Sequence, residues 1–291
     1  MKIVLFGASG LVGSHVMAAG LAAGHNVVGT TRATGSPILR RLELGDQGAT
    51  IELLEAERPE VVIYAAGWTW VDGCEADSDR SRRENFDIPS DVSRWCSRNA
   101  ALFLYYSSSY VFDGRSGNYA ECDSVSPINI YGRHKADAEK SILDISSGSA
   151  LIPRLICVWG AESSKKNFVY QMLEAARSHK SKQLPSDQLG NPTWAGDIAY
   201  WSIRLIELKA SGVWHLAGSG PDMSRVQWAQ SILDGLSARG LRSSLAIVPY
   251  STEKLGQRAL RPLRAGMLTA KIQALAPLVC REPSDIPVTI C

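Results

Sequence analysis

Tyr131 and Lys135 stand four residues apart in the run Tyr-Gly-Arg-His-Lys, ahead of a helical pattern through 136–145, so on one helix they share a face. A free phenol ionises near pH 10, and bringing it to neutrality takes about three units, roughly 4 kcal/mol. A neighbouring ammonium in a low-dielectric site moves it in that direction. A strand pattern at 101–107 ends in Ser107-Ser108-Ser109-Tyr110, and a serine hydroxyl at such an end can hydrogen-bond a substrate carbonyl. Serine, tyrosine and lysine together can polarise a ketone and move a proton to or from its oxygen. Alone, the Tyr/Lys pair fits an exposed helix face equally well, so the elements around it decide.

The first of these is the stretch Lys-Ile-Val-Leu-Phe-Gly-Ala-Ser-Gly-Leu-Val-Gly at 2–13. It reads as a buried strand, a tight glycine turn and a helix start. Gly7 suits the turn, Gly10 the approach of a pyrophosphate to a helix N-terminus, and Gly13 close helix–strand packing. The spacing has one residue more between its first two glycines than the usual G-x-G-x-x-G fingerprint. A second strand is expected at 26–30, followed by Thr30-Thr31-Arg32 with no carboxylate. An acidic residue at that point suits the ribose of NAD, whereas Arg32 can pair with the 2′-phosphate of NADP or stay solvated. Glu43, after a third short strand, reaches an adenine edge or lies in a plain loop. The apolar run 61–66 reads as a buried parallel strand. It ends in Ala65-Ala66-Gly67, whose small side chains leave room for a ligand at the carboxyl end of a sheet. Trp68 and Trp70 then line a sugar pocket or cover the core. Asn85 is expected to begin a helix after a charged loop at 77–84 and to brace the site.

The second half reads as a strand at 151–160, a helix at 167–179, a turn at 187–193, a helix at 196–209, a strand at 213–216, a helix at 223–236 and an extended tail at 280–291. Arg258, Arg261 and Arg264 either clamp a substrate diphosphate or stay solvated. This alternation predicts an α/β, Rossmann-type, doubly wound parallel sheet. Residues 1–160 would form the nucleotide-binding domain, rejoined by roughly 187–220, and 161–291 would form most of a smaller, interwoven C-terminal substrate lobe. No repeat, low-complexity tract or clear linker interrupts the 291 residues.

Composition removes other classes. A net charge of +2 gives no electrostatic case for nucleic acid or an anionic membrane. No apolar run approaches the ~20 residues of a membrane span, and glycines interrupt the N-terminal run too early for a signal peptide. Six scattered cysteines without a C-x-x-C, and five histidines without a close pair, argue for reduced thiols in a cytoplasm and against a metal site.

The opening Gly-Ala-Ser-Gly-Leu-Val-Gly, the block at 65–75, Asn85, Tyr-Tyr-Ser-Ser-Ser-Tyr-Val-Phe-Asp-Gly at 105–114, the run 129–135, Asp-Gln-Leu-Gly-Asn-Pro-Thr-Trp at 187–194 and later blocks to 272 carry a resemblance. The chain resembles the extended short-chain dehydrogenases/reductases and, more narrowly, the dTDP-4-dehydrorhamnose reductase family. The Y-x-x-x-K motif is common to the superfamily; Ser-Tyr-Val-Phe-Asp-Gly at 109–114 together with the 187–193 motif is far more specific. The resemblance implies an NADPH-favouring reduction, with NAD as the alternative, of the 4-keto group of a nucleoside-diphosphate 4-keto-6-deoxy sugar. Ser108 would polarise the ketone, Tyr131 donate the proton, and Lys135 lower the Tyr131 pKa and hold the nicotinamide ribose. Gly7, Ser9, Gly10, Leu11, Val12, Gly13, Arg32, Glu43, Ala65, Ala66, Gly67 and Asn85 would join Tyr131 and Lys135 at the cofactor. Trp68, Thr69, Ser108, Tyr110, Cys157, Asn167, Trp194 and Arg261 would meet the substrate.

Relatives often carry Thr-Asp where Ser108-Ser109 stand, tryptophan where Cys157 stands and a small residue where Trp70 stands; these departures imply a reshaped sugar pocket. A 4,6-dehydratase would need a carboxylic acid beside Ser108, and Ser109-Tyr110 offers none. An epimerase shares the Ser/Tyr/Lys set. The regulatory subunit of methionine adenosyltransferase resembles the same reductases and keeps a similar set, so the motif does not separate enzyme from partner protein. A homodimer is among the open oligomeric states.

Overall fold

The computed structural model of the chain describes residues 1–33, 36–178, 181–241, 243–276, 280–287 and 290. In chain order its elements begin with β1 (Lys2–Phe6), α1 (Leu11–Ala22), β2 (Asn26–Thr31), β3 (Arg40–Arg41), α2 (Gln47–Glu57) and β4 (Val61–Tyr64). There follow α3 (Val71–Ala76), α4 (Ser78–Arg82), a π-helical turn Arg83–Asp87, α5 (Ile88–Arg98), β5 (Leu102–Tyr105), β6 (Ser107–Ser108) and α6 (Ile130–Ile145). The second half holds β7 (Leu151–Leu155), β8 (Val158–Trp159), α7 (Phe168–Ser178), β9 (Lys182–Pro185), β10 (Leu189–Gly190), β11 (Thr193–Trp194) and α8 (Ala195–Glu207). It closes with β12 (Gly212–Leu216), β13 (Met223–Ser224), α9 (Arg225–Ser237), β14 (Ile247–Tyr250) and α10 (Ala270–Gln273).

The main sheet runs β12-β7-β5-β4-β1-β2-β3, with β6 also on β7, and every pairing in it is parallel. Strand β1 shows why it is wound on both faces. Ile3 and Leu5 join a core with Val16 of α1 and Ile198 of α8, whereas Val4 and Phe6 point the other way onto Leu54 of α2, Trp95 of α5 and Ile142 of α6. A strand buried on both faces has no polar side to show, which explains the continuous apolar runs. Strand order reverses between β1 and β4, and open α/β sheets bind ligands beside the carboxyl ends of strands at such a point.

The later segments split. Helix α8 and strand β12 return to the main sheet. Helices α7 and α9 instead enclose a core of Trp159, Met172, Leu184, Trp228 and Ile232, bordered by the parallel pair β9–β14.

Local differences from the sequence reading have local causes. The charged stretch 77–84 is helical, not a loop: Asp77 caps α4 by accepting from the Arg80 amide at 2.9 Å, and Arg80 pairs with Glu84 one turn on at 2.8 Å. Asn85 therefore lies inside a continuous helical run. The apolar stretch 151–160 is two strands, broken where Cys157 takes the left-handed region (φ 46°). The 187–193 segment holds the short strand β10, paired antiparallel with β13 just where a helix start was expected. Helix α7 ends at Ser178, and His179 of the expected span lies outside the described residues, as do 288–289 and 291 of the tail.

Candidate active site

A cavity of about 720 Å³ opens at the carboxyl ends of the main-sheet strands. Its floor is assembled from four separate segments: Gly10, Leu11 and Val12 after β1; Ala65, Ala66, Gly67 and Thr69 after β4; Tyr106, Ser107, Ser108, Ser109 and Tyr110 after β5; and Tyr131 and Lys135 on α6. Cys157 and Asn167 line it further out.

Helix α6 presents Tyr131 and Lys135 on one face because Asn129 fixes its start, accepting from the Gly132 amide at 2.8 Å. Gly132 lets the helix approach the turn that follows β6; a Cβ there would overlap the carbonyl oxygen of Tyr110. Lys135 is 4% exposed and donates from Nζ to the Tyr106 carbonyl at 2.9 Å. Its Nζ lies 4.4 Å from the Tyr105 ring centroid and 5.9 Å from that of Tyr131. Burial lowers the Lys135 pKa to about 7, with Glu139 one turn on pulling it back up.

Tyr131 differs from expectation. Burial holds its phenol above the ordinary range, the facing Ser108 hydroxyl pulls the other way, and Lys135 contributes no resolved pull. The physical reason is geometric. The ammonium is directed at a backbone carbonyl, and it stands in an environment that strips its own charge. The Ser108 hydroxyl accepts from the Tyr110 amide at 3.2 Å, while the buried hydroxyls of Ser107 and Ser109 have no hydrogen-bond partner among the described residues.

The glycine turn fits a dinucleotide. Gly7 (φ 81°) needs its missing Cβ, which would stand 2.8 Å from the Ala65 carbonyl carbon, and a Cβ on Gly13 would overlap the Gly7 carbonyl oxygen. Gly10 opens α1 without any side-chain cap, and no acidic residue stands in the first turn. Its leading amides are therefore free of side-chain partners where they face the cavity, the arrangement that attracts a phosphate. Ser9 bonds Thr31 at 2.9 Å, tying this turn to the end of β2, where Arg32 is exposed. Glu43 lies near the end of β3; neither it nor Gly7, Ser9, Gly13 and Arg32 lines the cavity.

Four expected contact residues are committed elsewhere. Asn85 is fully buried and does not reach the cavity; it accepts from the Trp68 amide at 3.2 Å and donates to the Trp68 carbonyl at 3.0 Å, holding the Gly67–Trp68 loop. The Trp68 ring lies under the Arg80 guanidinium at 4.1 Å. Trp194 packs edge-on to His15 and against Trp159, in the core that joins α1 to the second half. Arg261 pairs with Asp72 at 2.7 Å and donates to the Ala259 carbonyl, so its guanidinium ties the late loop to α3. None of the four lines the cavity.

Arg225, Phe168, Trp228 and Gln188 do line it, and the sequence reading had not placed them there. The signal for Arg225 was available. Ser224 and Gln227 form a reciprocal capping box, and that spacing marks Arg225 as the first residue of α9.

Comparison with known proteins agrees with this architecture. A dTDP-4-dehydrorhamnose reductase of Burkholderia thailandensis is 32% identical over 90% of this chain and 88% of its own. Methionine adenosyltransferase 2 subunit beta of Rattus norvegicus is 26% identical over 94% of this chain and 82% of its own. The crystal structure of a dTDP-4-dehydrorhamnose reductase from Yersinia enterocolitica superimposes with a TM-score of 0.81 at 28% identity, covering 94% of this chain and 92% of that one. The family model described as the RmlD substrate binding domain matches residues 1–283, and the chain belongs to that family.

Proposed function

We propose that the chain reduces the 4-keto group of a nucleoside-diphosphate 4-keto-6-deoxy sugar and favours NADPH. The observation that carries this is the convergence of Ser108, Tyr131 and Lys135 on one cavity that also takes in the uncapped start of α1. The reductase relatives, and the crystal structure of a Bacillus anthracis dTDP-4-dehydrorhamnose reductase in complex with NADP, support it. In this reading the sheet and residues 1–160, with 187–220, hold the dinucleotide, and most of 161–291 holds the sugar nucleotide.

The first turn of α1 would hold the dinucleotide's diphosphate, Arg32 its 2′-phosphate and Lys135 its ribose. When bound, the reduced nicotinamide supplies the hydride that becomes the new C–H bond at C4. Ser108 donates a hydrogen bond to the ketone oxygen. Tyr131 gives that oxygen its proton as negative charge develops there. Burial holds the phenol of the free chain above its ordinary pKa, so it is protonated throughout neutral pH, and the charge developing on the ketone oxygen is what draws the proton. The walls exclude water and hold the ketone between Ser108 and Tyr131.

The test is loss of NADPH absorbance with a freshly generated dTDP-4-keto-6-deoxyglucose pool, with and without a 3,5-epimerase. Turnover only with the epimerase identifies the rhamnose precursor as substrate, and turnover without it identifies the gluco ketone. Tight NADPH binding without turnover in either, joined to a stable complex with a methionine adenosyltransferase in gel filtration, would replace the enzyme reading with that of a regulatory subunit. The 26% identity to such a subunit along 94% of this chain makes that control necessary.

A further inference from the structure

Away from Tyr131 the cavity passes between the starts of α7 and α9, and its charge there is one-sided. Glu162 is the carboxylate in the lining, and it is already engaged. It accepts from the Lys166 amide at 2.8 Å, from the Asn167 side chain at 2.9 Å and from the Ser164 hydroxyl at 2.8 Å. Arg225 lines the same end and has no carboxylate partner among the described residues. Asp222, three residues earlier, packs against Gly266 and forms no ion pair with it.

The guanidinium is held in place without being neutralised. It lies 5.4 Å from the Phe168 ring centroid and 4.9 Å from that of Trp228, and its charge draws the Cys157 thiol down against the larger effect of burial. Aromatic faces orient a guanidinium and leave its edge donors free. Arg225 is also the first residue of a thirteen-residue helix, whose positive end adds to its own charge. Burial raises the Tyr110 phenol, with Arg261 and then Arg225 pulling it back, and the Tyr110 ring packs 5.7 Å from that of Tyr131.

We propose that Arg225 is the anion clamp of the substrate end of the cavity and that it takes the diphosphate of the nucleoside-diphosphate substrate. This rests on the reductase reading for the identity of the substrate, and it replaces Arg261, whose guanidinium is held by Asp72. A planar guanidinium matches two oxygens of a phosphate at once, and a partly enclosed cation without a counter-charge gains most when an anion arrives. A carboxylate on the sugar offers the same chemistry from another part of the ligand. The diphosphate is favoured because every nucleoside-diphosphate substrate carries it, whereas a 6-deoxy sugar has a methyl group where a uronate has its carboxylate.

The experiment is calorimetry on the full chain saturated with NADP, so that the probe cannot occupy the dinucleotide site. Probes are thymidine diphosphate, uridine diphosphate, thymidine and glucuronate. Arg225→Met is expected to weaken binding of the diphosphates by about 10- to 100-fold and to leave thymidine and NADP unchanged. Arg225→Lys should restore part of the loss, as a point charge without the fork. Unchanged diphosphate affinity in Arg225→Met overturns the proposal. So does a wild-type chain that binds neither diphosphate, or a loss confined to glucuronate. The two readings fail separately. Diphosphate binding through Arg225 without NADPH oxidation on any 4-keto sugar defeats the reductase alone; NADPH oxidation with Arg225→Met binding diphosphate normally defeats the clamp alone.

Discussion

Tyr131 and Lys135 are close neighbours in opposite predicaments: burial raises the pKa of the phenol and lowers that of the ammonium. Removing the phenol hydroxyl deletes the proton donor and little else. Tyr131→Phe is therefore expected to lower kcat by about 10²–10⁴-fold while the NADPH dissociation constant, measured by fluorescence titration, stays near the wild-type value. Lys135 predicts a pH dependence of binding. In the free chain it is about half protonated near pH 7. Donation to a ribose requires the ammonium, so the bound form has the higher pKa, and binding takes up a proton around neutrality. NADPH affinity should accordingly weaken as pH rises through 7. Calorimetry in two buffers of different ionisation enthalpy should report the uptake, and Lys135→Met should abolish it. Among the expected contacts, Asn85 shows how a residue can matter at one remove. Its amide grips both the N–H and the C=O of Trp68, and so sets the loop carrying Gly67 and Thr69 into the cavity.

At the scale of elements, the site depends on places where regular structure starts or breaks. Strand β1 ends in a turn that only glycine permits at two points, because Gly7 has a left-handed backbone and Gly13 touches it from the first turn of α1. Gly13→Ala must push the helix off the strand. We expect a loss of about 1–3 kcal/mol in denaturant unfolding, together with loss of NADPH binding that is larger than the stability change alone explains. The break between β7 and β8 turns Cys157 into the cavity, and the π-helical turn at Arg83–Asp87 turns Asn85 inward; such turns recur at functional sites. An uninterrupted helix or strand would have carried these residues past the point where they are needed.

At the scale of the molecule, a buried ion pair anchors helix α6 to the sheet. Arg154 of β7, 3% exposed, donates to Glu139 of α6, 4% exposed, from Nε at 2.9 Å and from Nη2 at 2.7 Å. The guanidinium also faces the Phe112 ring at 4.9 Å. Such a pair contributes little over an apolar replacement, but breaking it strands a charge. Glu139→Gln should cost about 3–5 kcal/mol in unfolding free energy. It should also shift the Lys135-linked proton uptake to lower pH, since Glu139 is what raises the Lys135 pKa. The same fold-wide logic explains Arg261. Its ion pair with Asp72 at 2.7 Å joins the loop near residue 260 to α3 and closes that side of the molecule.

What the chain's residues determined by themselves were the parts governed by local rules. The periodicity of β1, β4 and β5, with apolar side chains on both faces, follows from a strand buried between two helix layers, and it is visible in any window of five residues. The glycine spacing marks the turn into α1 because each glycine answers a backbone constraint with no side-chain alternative. The four-residue spacing put Tyr131 and Lys135 on one face of α6, and the serines lay at the end of a strand. What tertiary structure decided was where long side chains spend their charges and rings. Arg261 looked free until Asp72, 189 residues earlier, came within 2.7 Å. Trp194 looked like a pocket wall until His15 and Trp159 enclosed it. Arg225 drew no notice in the chain until the packing of α7 beside α9 placed two rings against it, with no carboxylate partner among the described residues. The ionisation of Tyr131 was decided the same way, because burial is a property of the whole fold, and here it outweighs the ammonium that spacing had put on the same helix face.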